Sequence, residues 1–161
     1  MLQKAKGIGL SVYNRWDSGK SDSMQTADII FLGHTHNPYR LCTFSKALLL
    51  TSEYESLPNV VIEALICKTV VVSTDCHFGP REILSNENNY SDPHREYGKL
   101  TTGILLPLIG NAKEDLSMWL NYTSKILEGD IVFKDFESNA AEKIKQYQLP
   151  TVVNKWESLL H

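Results

Sequence analysis

Cysteine is scarce in this chain: three in 161 residues, at Cys42, Cys67 and Cys76. An odd count without C-x-x-C spacing supports neither a disulfide framework nor a zinc site. Reduced thiols, as in a cytoplasmic protein, are the simpler expectation. Long apolar runs are missing too. No stretch approaches the ~20 apolar residues that span a bilayer, and the opening MLQKAKGIGL has too short an apolar segment for a signal peptide. Excess positive charge is also absent. Sixteen Lys and Arg against 19 Asp and Glu leave a net charge of −3, which withholds the basic patch that nucleic-acid binding needs. What remains is 42% hydrophobic and 22% charged, enough to bury a core in a single domain.

The organising stretch is 52–84, SEYESLPNVVIEALICKTVVVSTDCHFGPREIL. Just before it, ALLLTS at Ala47–Ser52 is an apolar run ending in small polar residues, as a buried parallel strand does. Glu53–Leu57 reads as a loop. Pro58 suits the first turn of a helix, where its missing N–H costs nothing. That helix should run to about Cys67, and TVVVST at Thr69–Thr74 is β-branched, as in a second buried strand. A helix joining two apolar strands is a βαβ crossover, so the strands should be parallel and the helix packed on the sheet.

Glu55 in the loop and Glu63 in the helix stand out. Asn59 and Glu63 are four apart and share a helix face, near Ser56 and Val60. Apolar Val61, Ile62, Ala64, Leu65 and Ile66 occupy the rest, so this helix reads as buried nearly all round. A carboxylate is rarely placed there without a partner. In open α/β sheets the ligand crevice lies beyond the carboxyl ends of the strands, where Glu55 falls. Free N–H groups at the helix start, Leu57–Val60, favour an anion. The residues therefore suggest a phosphate at the helix N-terminus and a hydroxyl-rich group against Glu63.

S-x-x-E-S-L-P-N-V-V-I-E-A followed by V-V-S-T-D-C-x-x-G-P-R-E-I-L resembles the C-terminal, donor-binding domain of GT-B retaining glycosyltransferases. Glu55-x7-Glu63 matches that family's Glu-x7-Glu signature, and the T-D-C-x-x-G-P-R-E-I-L run is similar to bacterial surface-polysaccharide enzymes that use UDP-hexoses or UDP-N-acetylhexosamines. The resemblance extends more weakly from about Ile29 to the C-terminus. It implies a Rossmann-like α/β fold with a parallel sheet flanked by helices, N-terminally incomplete. It also implies a nucleotide-sugar donor, no metal or other cofactor, and transfer to a lipid-linked or polysaccharide acceptor. By the same resemblance Glu63 holds the ribose, Glu55 faces the transferred sugar as the catalytic residue, and Ser56, Leu57, Asn59 and Val60 surround the diphosphate. Many relatives carry Gly where Ser56 stands, and serine fits only if no positive φ is needed there.

Elsewhere the chain divides into a leader (1–27), a core (28–107) and C-terminal helices (108–161). Leu2, Ala5 and Ile8 suggest a short N-terminal helix, and polar Ser11–Ala27 reads as a loop. Asp28–Leu32 is a strand, and GHTHNP at Gly33–Pro38 is a turn at its carboxyl end. His34 and His36 alternate without a third ligand, a poor zinc signature. The resemblance makes Gly33, His34, Asn37 and Pro38 candidates for nucleobase contacts. Tyr39–Lys46 reads as a helix. Gly79-Pro80 marks a turn at a strand's carboxyl end, and the resemblance makes Gly79 a candidate for donor contacts. Arg81 is read either as a phosphate contact or as half of a salt bridge, and Glu82 as structural. Cys76 shows no histidine pairing that would make it a nucleophile. Ser85–Thr102 is a long polar loop and Gly103–Pro107 a short strand. Helices follow over Glu114–Leu127, Phe133–Tyr147 and Thr151–Leu160.

The family's usual Gly-Arg and Lys-Gly segment, whose cations neutralise the leaving diphosphate, has no counterpart here. Neither has its N-terminal, acceptor-binding domain. The expectation is a fragment, truncated frame or split-enzyme half that needs that domain or a partner subunit, transfers little alone, and is cytoplasmic or peripheral at the inner membrane within a full enzyme. The Ala47 strand would then have an open edge, prone to self-association. Two other readings stand beside this one. The first is a nucleotide-sugar epimerase, for which further acid and base groups cannot be placed. The second is a non-enzymatic remnant kept for nucleotide binding or interaction.

Overall fold

The computed structural model describes residues 2–16, 24, 26–85, 97–110 and 113–160. The chain divides into two units, 1–38 and 39–161. In the first, helix α1 (Leu2–Gly7) leads into strand β1 (Val12–Asn14), which pairs in parallel with β2 (Ile29–Phe31). Sequence reasoning placed Val12–Asn14 in a loop. Three residues are too few to show an alternating pattern, but Val12 is fully buried and its neighbours complete the ladder. A clasp fixes the register: Ser11 donates from its backbone N–H (2.8 Å) and hydroxyl (2.7 Å) to the Asp28 carboxylate. Those bonds hold the Asp28 carboxyl below its ordinary pKa. The rest of the expected loop, 17–23 and 25, lies outside the described residues.

The second unit opens within α2 (Pro38–Phe44), at Tyr39, and continues with β3 (Ala47–Leu50), α3 (Asn59–Ile66) and β4 (Val70–Thr74). Then come α4 (Pro80–Leu84), β5 (Gly98–Lys99), β6 (Gly103–Leu106), α5 (Lys113–Glu128), α6 (Phe136–Lys145) and α7 (Leu149–Glu157). The sheet order is β3-β4-β6-β5, with β3, β4 and β6 parallel and β5 antiparallel at the edge. The βαβ crossover thus forms as its sequence pattern requires. β5 falls inside the expected 85–102 loop, because two residues leave no periodic trace; residues 86–96 of that loop lie outside the description. β4 and β6 approach closely at Gly103, where a Cβ would stand 2.7 Å from the Val71 carbonyl oxygen.

Strand alternation sorts the core into two layers. Leu48, Leu50, Val71 and Leu105 face α3, α4 and α6, meeting Val61, Ala64, Leu65, Ile83, Leu84 and Ala140. Val72, Ile104 and Leu106 face the other way, toward Trp119, Tyr122 and Ile126 of α5. The Trp119 indole N–H donates to the Pro107 carbonyl (2.9 Å), so the one polar atom of that ring is satisfied where it is buried. Because α3 covers one face of the sheet only, it is not buried all round as expected. Val61, Ala64 and Leu65 point inward, while Ile66 is 58% exposed. The predicted stripe of Phe136, Ala140, Ile144 and Tyr147 does pack on the core. α7 has no buried residue, and Trp156 on it and Leu159 and Leu160 beyond it are exposed.

Candidate functional site

The carboxyl ends of β3, β4 and β6 lie side by side, and the loops leaving them are stitched together. The Thr74 hydroxyl donates across to the Ser52 carbonyl (2.6 Å), tying the end of β4 to the loop that carries Glu55. Asp75 N–H donates to the Leu106 carbonyl (2.8 Å), tying the same end to β6. Gly79 has φ of +90° and presses on the Glu55 loop, where a Cβ would stand 2.6 Å from the Ser56 carbonyl oxygen and 2.5 Å from Pro58 Cδ. Only glycine fits both that backbone and that space. Beneath Glu55 lies Cys76, 1% exposed. Burial pushes its thiol pKa up and the Glu55 carboxylate pushes the same way, with a hydrogen bond to Thr74 opposing in part.

Arg81 does not reach into the crevice. Its side chain is buried and forks onto Asp75, with Nε–Oδ1 at 3.0 Å and Nη2–Oδ2 at 2.7 Å. The salt-bridge alternative is therefore the observed one, and its partner is Asp75. The pair locks the start of α4 to the end of β4 and so holds Gly79 in place against Ser56.

Helix α3 starts at Asn59 with Pro58 as its N-cap, and no side chain caps that end. Its first amides are left for solvent or a ligand. Glu55 is half-buried in the preceding loop, Ser56, Leu57 and Asn59 are exposed, and Val60 is partly buried. Glu63 is half-buried one turn after Asn59, and its Oε1 accepts from the Tyr39 hydroxyl at 3.4 Å. The helix closes with Thr69 N–H on the Ala64 carbonyl (2.9 Å) and Lys68 N–H on the Leu65 carbonyl (3.0 Å). That is a Schellman end, with Lys68 itself left-handed at φ 59°.

The other candidates, Gly33, His34, Asn37 and Pro38, belong to the first unit. There Gly33 has φ of +65°, with the Trp16 indole lying directly on it. The His34 and His36 rings meet edge to face at 5.6 Å. Among the described residues, no three His, Cys, Asp or Glu side chains gather as a metal site. Sequence reasoning missed Tyr39, Trp16 and the Asp75 partner of Arg81. The partners are distant or lie in separate elements, and no local motif announces such contacts.

In open parallel α/β sheets ligands bind beyond the carboxyl ends of the strands, where the Glu55 loop and the uncapped start of α3 lie. Comparison with known proteins gives the family. The family model described as "Glycosyl transferases group 1" matches residues 21–105, more than half of the chain. The chain belongs to the group 1 glycosyltransferases. Among its relatives is an uncharacterised glycosyltransferase of Methanocaldococcus jannaschii, 33% identical over 144 residues that cover 83% of this chain and 35% of that one. A poly(ribitol-phosphate) α-N-acetylglucosaminyltransferase of Staphylococcus aureus is 24% identical over 136 residues, covering 83% of this chain and 24% of the relative. The crystal structure of TarM superposes with a TM-score of 0.56 at 25% identity, over 81% of this chain and 23% of TarM. This group 1 chain therefore spans about a quarter to a third of the length of these relatives. No helix among the described residues is long and apolar enough to cross a membrane.

Proposed function

We propose that this chain is the donor-binding part of a retaining glycosyltransferase that uses a UDP-linked hexose or N-acetylhexosamine. The observation that carries the proposal is the run from Glu55 in the loop after β3, through the uncapped start of α3, to Glu63 one turn into that helix. A ribose presents two vicinal hydroxyls, and a carboxylate accepts both; Glu63 takes that role. The diphosphate sits on the free amides of Asn59 and Val60, where the helix dipole favours negative charge. Glu55 reaches the sugar and orients its ring hydroxyls. As the sugar leaves, charge grows on the diphosphate, and the helix start is preorganised to receive it. Gly79 fixes the loop that carries Glu55 and Ser56, and Arg81 contributes through Asp75.

The acceptor is lipid-linked or polysaccharide and is held outside these residues, by a further domain or a partner subunit. The share of each relative that the chain covers supports this. The pure chain alone binds donor but transfers little; sustained turnover would contradict that. The site itself is tested by calorimetric titration of UDP into the wild type and Glu63→Ala. Binding that weakens tenfold or more in the variant, about 1.4 kcal/mol, is the expected loss for a hydrogen bond to a charged group. Equal affinity in the two proteins would remove Glu63 from the site.

A further inference from the structure

We propose that Tyr39 is a positioning residue for the ribose site: it fixes the plane of the Glu63 carboxylate and thereby sets the preference for a ribose with free hydroxyls. The inference rests on the donor-site reading of Glu63 and adds to it a residue 24 positions away in sequence. Helix α2 docks on the closing turn of α3 and the residues just after it. The Tyr39 hydroxyl donates to Glu63 Oε1 at 3.4 Å. The Cys67 thiol donates back to the Tyr39 carbonyl at 3.6 Å, and the Thr69 hydroxyl donates to the Cys42 carbonyl at 2.7 Å. Tyr39 is therefore held at its backbone while its ring, 49% exposed, lies along the seam with its hydroxyl on the carboxylate.

A glutamate on a helix surface has three side-chain torsions and no preferred direction for its carboxylate plane. One donor on Oε1 selects a direction. An ionised carboxylate has about four acceptor positions, so Tyr39 leaves room for two ribose hydroxyls and does not compete with them. Without the phenol, part of the ordering cost falls on the ligand. That cost arises only when the ribose hydroxyls engage Glu63, and this separates positioning from mere packing.

The experiment measures dissociation constants of UDP and of 2′,3′-dideoxyuridine 5′-diphosphate for the wild type, Tyr39→Phe and Glu63→Ala. Circular dichroism and melting of Tyr39→Phe confirm that the fold is kept. Tyr39→Phe should weaken UDP about three- to tenfold while leaving the dideoxy analogue within twofold of wild type. Equal weakening of both ligands, or no weakening of either, overturns the proposal while leaving the donor site intact, provided Glu63→Ala still loses UDP. If Glu63→Ala does not change UDP affinity, or the wild type binds no UDP, the donor-site reading falls and takes the Tyr39 inference with it.

Discussion

The Arg81–Asp75 pair shows how a residue that looks like a ligand becomes part of the frame. Both side chains are almost wholly withdrawn from water, at 4% and 0% exposure. Removing one partner of such a buried pair typically costs 3–5 kcal/mol, whereas replacing both by apolar groups costs less. Arg81→Met should therefore lower the urea unfolding free energy by about 3–5 kcal/mol, and the double variant Arg81→Met/Asp75→Leu should recover part of that loss. Gly79 belongs at the same scale. A side chain there meets Ser56 and Pro58 and imposes a left-handed backbone on an L-residue. Gly79→Ala should cost at least about 1–3 kcal/mol of stability and weaken UDP binding in the same titration, because the loop it displaces carries Glu55. The sequence announced Gly79 through its Gly-Pro turn. The pairing of Asp75 with Arg81 was less legible, since it joins a strand end to a helix across an intervening turn.

Among the elements, α3 was the most readable. The apolar run before it, Pro58 at its start and the β-branched run after it agree on one crossover, and the structure forms that crossover. What the pattern overstated was burial: a helix covered by a sheet on one side keeps an outer face, and Ile66 lies on it. Among the shortest strands, β2 was legible because it lies in the apolar run DIIFL, whereas β1 and β5 were not, because their ladders depend on partners rather than on any local apolar run. The end of α3 gives a prediction of its own. Lys68 holds the left-handed position of the Schellman turn, where glycine avoids a penalty of roughly 1–2 kcal/mol. Against that stand the extra freedom glycine has in the unfolded chain and the exposed 2.6 Å ion pair of Lys68 with Glu137, which is worth little in water. Lys68→Gly should raise the melting temperature, by a net gain of up to about 1 kcal/mol. A lowered melting temperature would mean that the ion pair outweighs the backbone.

For the whole second unit, Lys143 links α6 to the end of α4. Its ammonium is 5% exposed and donates to the Ser85 carbonyl. Burial depresses its pKa below the ordinary lysine value of 10.5, with Glu142 opposing only in part. Between the folded pKa and 10.5 the unfolded chain binds more protons than the folded one, so this group adds stability as pH rises through that interval. Measured as a difference from Lys143→Met, wild-type stability should climb from neutral to alkaline pH. A flat difference would show that the ammonium is effectively solvated. The layered sheet could be read from the sequence because apolar periodicity reports layers. How much of the surface is left open could not, since Trp156, Leu159 and Leu160 carry the same apolar signal whether they meet a core or solvent.

The three tryptophans fall into different environments: Trp16 is 70% exposed and lies on Gly33, Trp119 is 5% exposed in the sheet core, and Trp156 is 67% exposed on α7. The chain therefore carries its own optical labels. Trp119 should emit in the blue and resist quenching by iodide until the second unit unfolds, whereas Trp16 and Trp156 should emit in the red and quench at once. With Trp156→Phe, the quenchable emission belongs to Trp16 alone, so anything that covers the Gly33 turn would shield one indole and leave the buried one unchanged.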